Sequence, residues 1–486
     1  MTRERIYLLA LVLLLGAGLI LYSQTQAFAW DEGFHLLAAQ LILRGMRPYL
    51  DFFHAQTPLY AYWNSFWMRL FGDTWRTAHV VSALCTTGAL WLTGAYVLDR
   101  FDGGVWRKNW RLPLTLAVVL LVGLNSQVVE FGTIGQAYGL CLLAIVGAFR
   151  FTVANVKRDD ARFAMGAGFC AGAAAASSLL TAPMGPVLFL WILKSPGARL
   201  KRTLAFLAGA LIPFLPLVRL FLKSPKVVFF GAVKFHLFYR TVDWSESGKQ
   251  NLDVATDWLE SPHAMVMGLL VLLGLIFLAR TAIPWALRQE LYLCIWLCSV
   301  EAAYLLYVRP TFARYYLFIV PFVAIICVVG LYYAGIHIGR PDKPRWVMLL
   351  LFLVMALGIG KTLSVSKSDY RWKDWEKLAK KVNDVTRPDG IIYADEAVFF
   401  ITKRQPSSGM EYADTHKLHL SNDLEAQLHI FPKEELLRRV KAKTYDTVAT
   451  CEDDDKMNEQ DLPTNYKQKV TMGDCAVFWD KDKTTR

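Results

Sequence analysis

The sequence contains no H-E-x-x-H helix, no G-x-S-x-G elbow and no N-x-S/T sequon. It therefore lacks the starting residues of a zinc protease, a hydrolase nucleophile elbow and an N-glycan acceptor. Charge is scarce too, since Asp, Glu, Lys and Arg make up 19% of the chain, against roughly 25% in soluble domains. No Cys or His spacing of a metal-binding kind occurs, and Cys85, Cys141, Cys170, Cys294, Cys298 and Cys327 all fall in long apolar runs. There a thiol behaves as a small hydrophobe. Gly360-Lys361-Thr362 imitates the end of a phosphate-binding loop, but Met355 stands where its first Gly is required. The net charge of +12 comes as short basic clusters between apolar runs. A nucleic-acid protein would present a basic stripe on a folded surface, so nucleic acid is excluded as a partner.

What the chain has instead is apolar length. Hydrophobic residues make up 55% of 486, above the roughly 45–50% of globular proteins. Eleven mostly apolar runs are legible, near 6–22, 77–98, 112–129, 135–154, 163–181, 183–193, 203–222, 264–279, 289–308, 315–334 and 346–362. At about 1.5 Å per residue most of them can cross roughly 30 Å of hydrocarbon. The sequence thus predicts a polytopic α-helical membrane protein with about eleven spans. Lys and Arg are retained on the cytoplasmic side, and with the N-terminus inside, the loops facing the cytoplasm are roughly threefold denser in them than the opposite loops. This orientation puts two large loops, 23–76 and 223–263, on the outside together with everything after residue 362. Arg3, Arg5 and Ala27-Phe28-Ala29 imitate a cleavable signal. The run from Ile6 to Tyr22 exceeds the usual ~7–15 residues of such a signal and reads as a retained span.

Residues 1–362 accordingly form the membrane part and 363–486 a small external α/β domain. In the latter, helical spacing runs from Tyr370 to Val385, with a second helix at 433–443. Strand-like runs lie at 390–401, 444–450 and 475–479. Cys451 and Cys475 fall in this external segment and are candidates for a disulfide, the alternative being two buried thiols on neighbouring strands. Asp453-Asp454-Asp455 imitates the acidic motif of nucleotide-sugar transferases but sits in a polar turn of the expected external domain, where such donors are absent.

The first external loop carries the chemistry. It opens Trp30-Asp31-Glu32-Gly33 and enters a helix with Phe34, Leu37, Ala38, Leu41 and Ile42 on one face, ending at Gly45. Such a helix just outside a bilayer is expected to rest in the interface plane. Asp31 is then a shallow, partly dehydrated carboxylate, or simply the helix N-cap. The loop continues Gly45-Met46-Arg47-Pro48-Tyr49, His54-Ala55-Gln56-Thr57-Pro58-Leu59 and Phe71-Gly72. This order resembles the C-fold (GT-C) membrane glycosyltransferases, in the branch of protein O-mannosyltransferases, lipid A aminoarabinose transferases and bacterial glycan-modifying relatives. The resemblance is specific over about residues 1–110. It is looser elsewhere, where Arg314-Tyr315-Tyr316 through Pro321 looks like a late span of that family.

The resemblance implies a transfer of sugar from a polyprenyl-phosphate carrier to an external acceptor on a lipid, glycan or protein, with Asp31 as general base. It places the protein in a bacterial inner membrane, among membrane lipids, with the 363–486 domain periplasmic. Glu32 would orient Asp31 or the acceptor, or serve only the helix cap. Glu130, in the short loop after the third span, is a second site carboxylate or an ordinary solvated side chain. Cations must stabilise the departing phosphate. The candidates are Arg314 beside Tyr315, Arg309, Lys223, Lys226 and His54. Some relatives have Lys two positions before the Pro of the Pro-Leu segment, where this chain has Gln56. Arg314 and Tyr315 also suit a plain interfacial anchor. Glu301 and Arg219, inside spans, are secondary candidates. The sequence demands no cofactor and leaves a divalent ion open. The rival readings are a flippase or a non-catalytic binder of lipid-linked saccharide, although no internal repeat of the transporter kind is present.

Overall fold

The computed structural model describes residues 2–25, 32–158, 160–194, 198–239, 247–260, 262–337, 344–365, 371–451, 461–473 and 475–480. The chain divides into two compact units, one of Met1–Gln24, His79–Pro216 and Asp243–Lys367, the other of Thr25–Ala78, Leu217–Val242 and Ser368–Arg486.

The first unit is helical. Among the described residues of the whole chain, six helices are long and apolar enough to cross a membrane: Arg3–Ser23, Trp75–Arg100, Tyr138–Arg158, Arg199–Phe221, Trp285–Tyr307 and Ala313–His337. The apolar run at 112–129 is not one helix. Arg111–Gly123 stops, and Asn125 starts the separate short helix Ser126–Phe131 by accepting a hydrogen bond from the Gln127 N–H at 3.1 Å. Small residues set the closest packing. A Cβ on Gly168 would fall onto the Phe206 carbonyl oxygen and one on Gly172 onto that of Ala210, so Ala161–Ser177 and Arg199–Leu211 meet backbone to backbone. Close approach of this kind supplies dispersion where hydrophobic drive between helices is weak. The Arg100 Nε donates to Glu290 Oε2 at 2.7 Å, and the Tyr96 hydroxyl donates to the same oxygen at 3.1 Å, so this buried carboxylate is paired.

The second unit is assembled from three separated stretches. Its last stretch holds a four-stranded sheet, β1 (Ile392–Ala394), β2 (Thr447–Thr450), β3 (Gln468–Met472) and β4 (Cys475–Trp479), in the order β1-β2-β4-β3. The β1–β2 pair is parallel and the other two are antiparallel, with Val448 opposite Phe478 and Val470 opposite Val477. Trp372–Val385 buries Trp372, Trp375, Leu378, Ala379, Val382 and Val385, a helical stripe turned onto the core. Cys451, just past β2, is disulfide-bonded to Cys475 at the start of β4. The strand expected over 390–401 ends at Ala394, because the chain turns at Asp395 into the helix Glu396–Thr402.

The same core takes in the first loop. Leu36, Leu37, Ala38, Ala39 and Leu41 join one apolar cluster with Trp372, Phe399, Phe400, Val448 and Phe478. Every residue from Glu32 to Leu41 is buried. The helix expected to rest on a lipid surface is therefore covered by protein. Trp75 stacks on Trp372 with ring centroids 5.2 Å apart, and its Nε1 donates to Glu376 Oε1 at 2.9 Å.

Candidate functional site

Asp31, the Ala27-Phe28-Ala29 site and Asp453-Asp454-Asp455 lie outside the described residues. The remaining candidates fall into two sets, one in each unit.

In the second unit, Glu32 is fully buried as the first residue of Glu32–Leu43. The turn that follows this helix is closed by a forked ion pair, Arg47 Nε to Asp51 Oδ2 at 2.8 Å and Nη2 to Oδ1 at 2.7 Å. The Arg47 hydrogen bonds hold the Asp51 carboxyl below the ordinary carboxylate range. Tyr49 sits at φ 65° with its ring buried and its hydroxyl donating to the Gln56 carbonyl. Gln56 thus contributes its backbone to the loop's closure, and its side chain is half-buried. His54 is 1% exposed and stacks on Phe34 at 5.3 Å, edge-on to Tyr49 at 5.4 Å. Burial first, then repulsion from His35, pushes its pKa down to about 3. At neutral pH burial keeps this imidazole uncharged in the absence of a ligand. Lys223 and Lys226 are exposed beyond the helix Leu215–Phe221.

In the first unit, Arg314 lies on the 3-10 turn Ala313–Ile319. Its Nε donates to the Tyr138 hydroxyl at 3.0 Å, and its guanidinium stands 4.3 Å over the Phe312 ring and 5.6 Å over that of Tyr315. The Phe312 and Tyr315 rings and the Tyr138 hydroxyl hold this cation's direction. Tyr138 also contacts Phe131 at 6.2 Å and Tyr315 at 6.5 Å. The short helix Ser126–Phe131, which carries the half-buried Glu130, packs against the turn that carries Arg314. Structure thus brings the elements of Glu130, Arg314 and Tyr315 together around Tyr138. Arg309 is exposed, on a loop whose backbone is held by Asn251. That side chain, 1% exposed, donates to the Leu306 carbonyl at 3.0 Å and accepts from the Thr311 N–H at 3.1 Å. Tyr138 and Asn251 were not legible in the sequence, because one follows an ordinary loop and the other lies in a polar stretch with no motif. Glu301 is fully buried in Trp285–Tyr307, with neither carboxylate oxygen hydrogen-bonded among the described residues. Arg219 is exposed.

No group of three or more His, Cys, Asp or Glu side chains that could hold a metal ion occurs among the described residues. A cleft of about 470 Å³ is lined by residues 388–392 and 403–407. Its Arg404 is committed to the fold, donating to the Gly390 carbonyl at 3.0 Å and to Asn383 Oδ1 at 3.2 Å.

No protein-family model matches the chain, and no curated protein does. Solved structures do. The aminoarabinose transferase ArnT of Cupriavidus metallidurans, in a crystal structure bound to undecaprenyl phosphate, superposes with a TM-score of 0.65 at 12% identity over 97% of each chain. Its apo structure gives 0.66 at 13% identity, again over 97% of each. The oligosaccharyltransferase of Archaeoglobus fulgidus, in complex with Zn and sulfate, gives 0.52 at 13% identity, over 87% of this chain and 62% of that one. At such identities what is shared is the fold. The chain has the GT-C fold of membrane glycosyltransferases, and six of its described helices are long and apolar enough to cross a membrane.

Proposed function

We propose that the protein is an inverting glycosyltransferase that moves a sugar from a polyprenyl-phosphate carrier to an acceptor hydroxyl at the outer face of a bacterial inner membrane. The observation that carries this reading is the end-to-end fold match to a transferase crystallised with undecaprenyl phosphate. Residues 1–362, with about eleven spans and a cytoplasmic N-terminus, form the transferase part, and 363–486 the external domain.

Asp31 acts as general base. Its carboxylate takes the proton of the acceptor hydroxyl as that oxygen bonds to the anomeric carbon. The bond from that carbon to the phosphate oxygen breaks, and the electron pair leaves with the lipid phosphate. Arg314, directed by Tyr138 and the Phe312 and Tyr315 rings, is the cation that stabilises this departing charge. A cation already oriented needs no reorganisation as charge develops. Glu130 binds the acceptor from the neighbouring short helix, and Glu32 sets the start of the helix that Asp31 precedes.

Membranes supplied with a radiolabelled polyprenyl-phosphate sugar pool test the base directly. Asp31→Asn is expected to lower transfer by roughly 10²–10⁴-fold at unchanged protein level. Undiminished transfer would remove Asp31 from the mechanism. Movement of the labelled lipid across proteoliposomes with no sugar transfer would make the protein a carrier.

A further inference from the structure

The buried helix Glu32–Leu43 is gripped from its side by the helix Glu396–Thr402, more than 350 residues later in the chain. At its N-terminal turn, a Cβ on Gly33 would stand 2.8 Å from the Ala397 backbone nitrogen. Only the absence of a side chain lets the two helices approach so closely. One turn from its other end, Gln40 Nε2 donates to the Phe400 carbonyl at 3.1 Å and to Asp73 Oδ2 at 2.9 Å. Lys403 closes the ring, its Nζ 3.0 Å from Asp73 Oδ2, while its own carbonyl accepts from Arg44 Nη2 at 2.8 Å. The helix is thereby fixed both along its axis and about it. Apolar packing alone would leave rotation less defined, because almost every face of this helix is apolar.

We propose that this latch, formed by Gly33, Gln40, Asp73 and Lys403, is a positioning device for the transfer reaction. The C-terminal segment sets the register of Glu32–Leu43 and through it the carboxylates that begin the loop. This inference rests on the reading of Asp31 as base. From Gln40 to Glu32 the helix rises about 12 Å, so the polar end of the latch, at Gln40, Asp73 and Lys403, acts through the helix. A slip of one residue would shift the helix start by about 1.5 Å and turn it by about 100°. A misplacement near 1 Å can cost about 10²-fold in rate.

The test uses the full-length protein, the same labelled lipid pool and amide hydrogen exchange. Lys403→Met breaks the ion pair at a half-exposed site, where folding is not at stake, and Lys403→Arg keeps it. The expected result for Lys403→Met is a fall in kcat of about tenfold with donor KM within twofold, and faster exchange over residues 34–43. Lys403→Arg should restore both. Faster exchange with kcat unchanged, or equal loss in both variants, would overturn the proposal. If Asp31→Asn keeps full activity while Lys403→Met still loses turnover, the base assignment fails and the latch stands, positioning another group of the same helix.

Discussion

Arg314 is held by the Tyr138 hydroxyl and two aromatic rings, and its variants separate charge from geometry. Arg314→Gln removes the cation and is expected to lower transfer by roughly 10²–10³-fold. Tyr138→Phe leaves the charge but removes one hydrogen bond from the guanidinium, so the fall should be about tenfold or less; steady-state turnover of the labelled lipid pool measures both. His54 makes the opposite case. Its folded pKa of about 3 lies below the ordinary value, so the neutral ring stabilises the fold above about pH 6.5. That contribution is lost as pH falls from about 6.5 toward 3, because the unfolded chain binds the proton first. At pH 5 the loss is about 2 kcal/mol. Thermal melting at pH 5 and pH 7 should therefore show a smaller pH dependence for His54→Gln than for the native chain. Transfer between pH 6 and 8 should show no ionisation that this substitution removes.

Among the elements, the disulfide between Cys451 and Cys475 joins positions 24 residues apart. Closing a loop of that length is worth about 3 kcal/mol in the unfolded chain. Cys475→Ser should raise hydrogen exchange and protease sensitivity across β2 and β4, with less effect on the membrane helices. The apolar runs were legible because their length and spacing are intrinsic to the chain. The sheet was legible only in part. Ala397-Val398-Phe399-Phe400-Ile401 is as apolar as a buried strand, yet Asp395 and Glu396 stand at its start, where acidic residues favour a helix N-terminus, and the run folds as a helix. β3 alternates half-buried and exposed residues at the edge of the sheet and reads as loop. Glu32–Leu43 showed an apolar stripe but not its cover. The cover comes from residues such as Phe400, 360 positions from Gln40, which no local pattern can announce. The arrangement around Arg314 was hidden for the same reason, since Tyr138 lies 176 residues away.

At the scale of the whole molecule, truncation before residue 371 would leave all six long apolar helices intact. It would also expose the apolar cluster that Leu36, Leu37 and Leu41 share with Trp372 and Phe400. The truncated chain is expected to insert into membranes and to fail in transfer, with protease cutting the first loop. Membrane fractionation with limited proteolysis checks this, and a truncated chain that still transfers sugar would contradict it. The second unit also carries a consequence for biosynthesis. The ribosome makes residues 32–43 early and residues 392–403 near the end. At about 5–20 residues per second the wait is roughly 20–70 s. Throughout that interval a nascent, greasy segment lacks its final shelter.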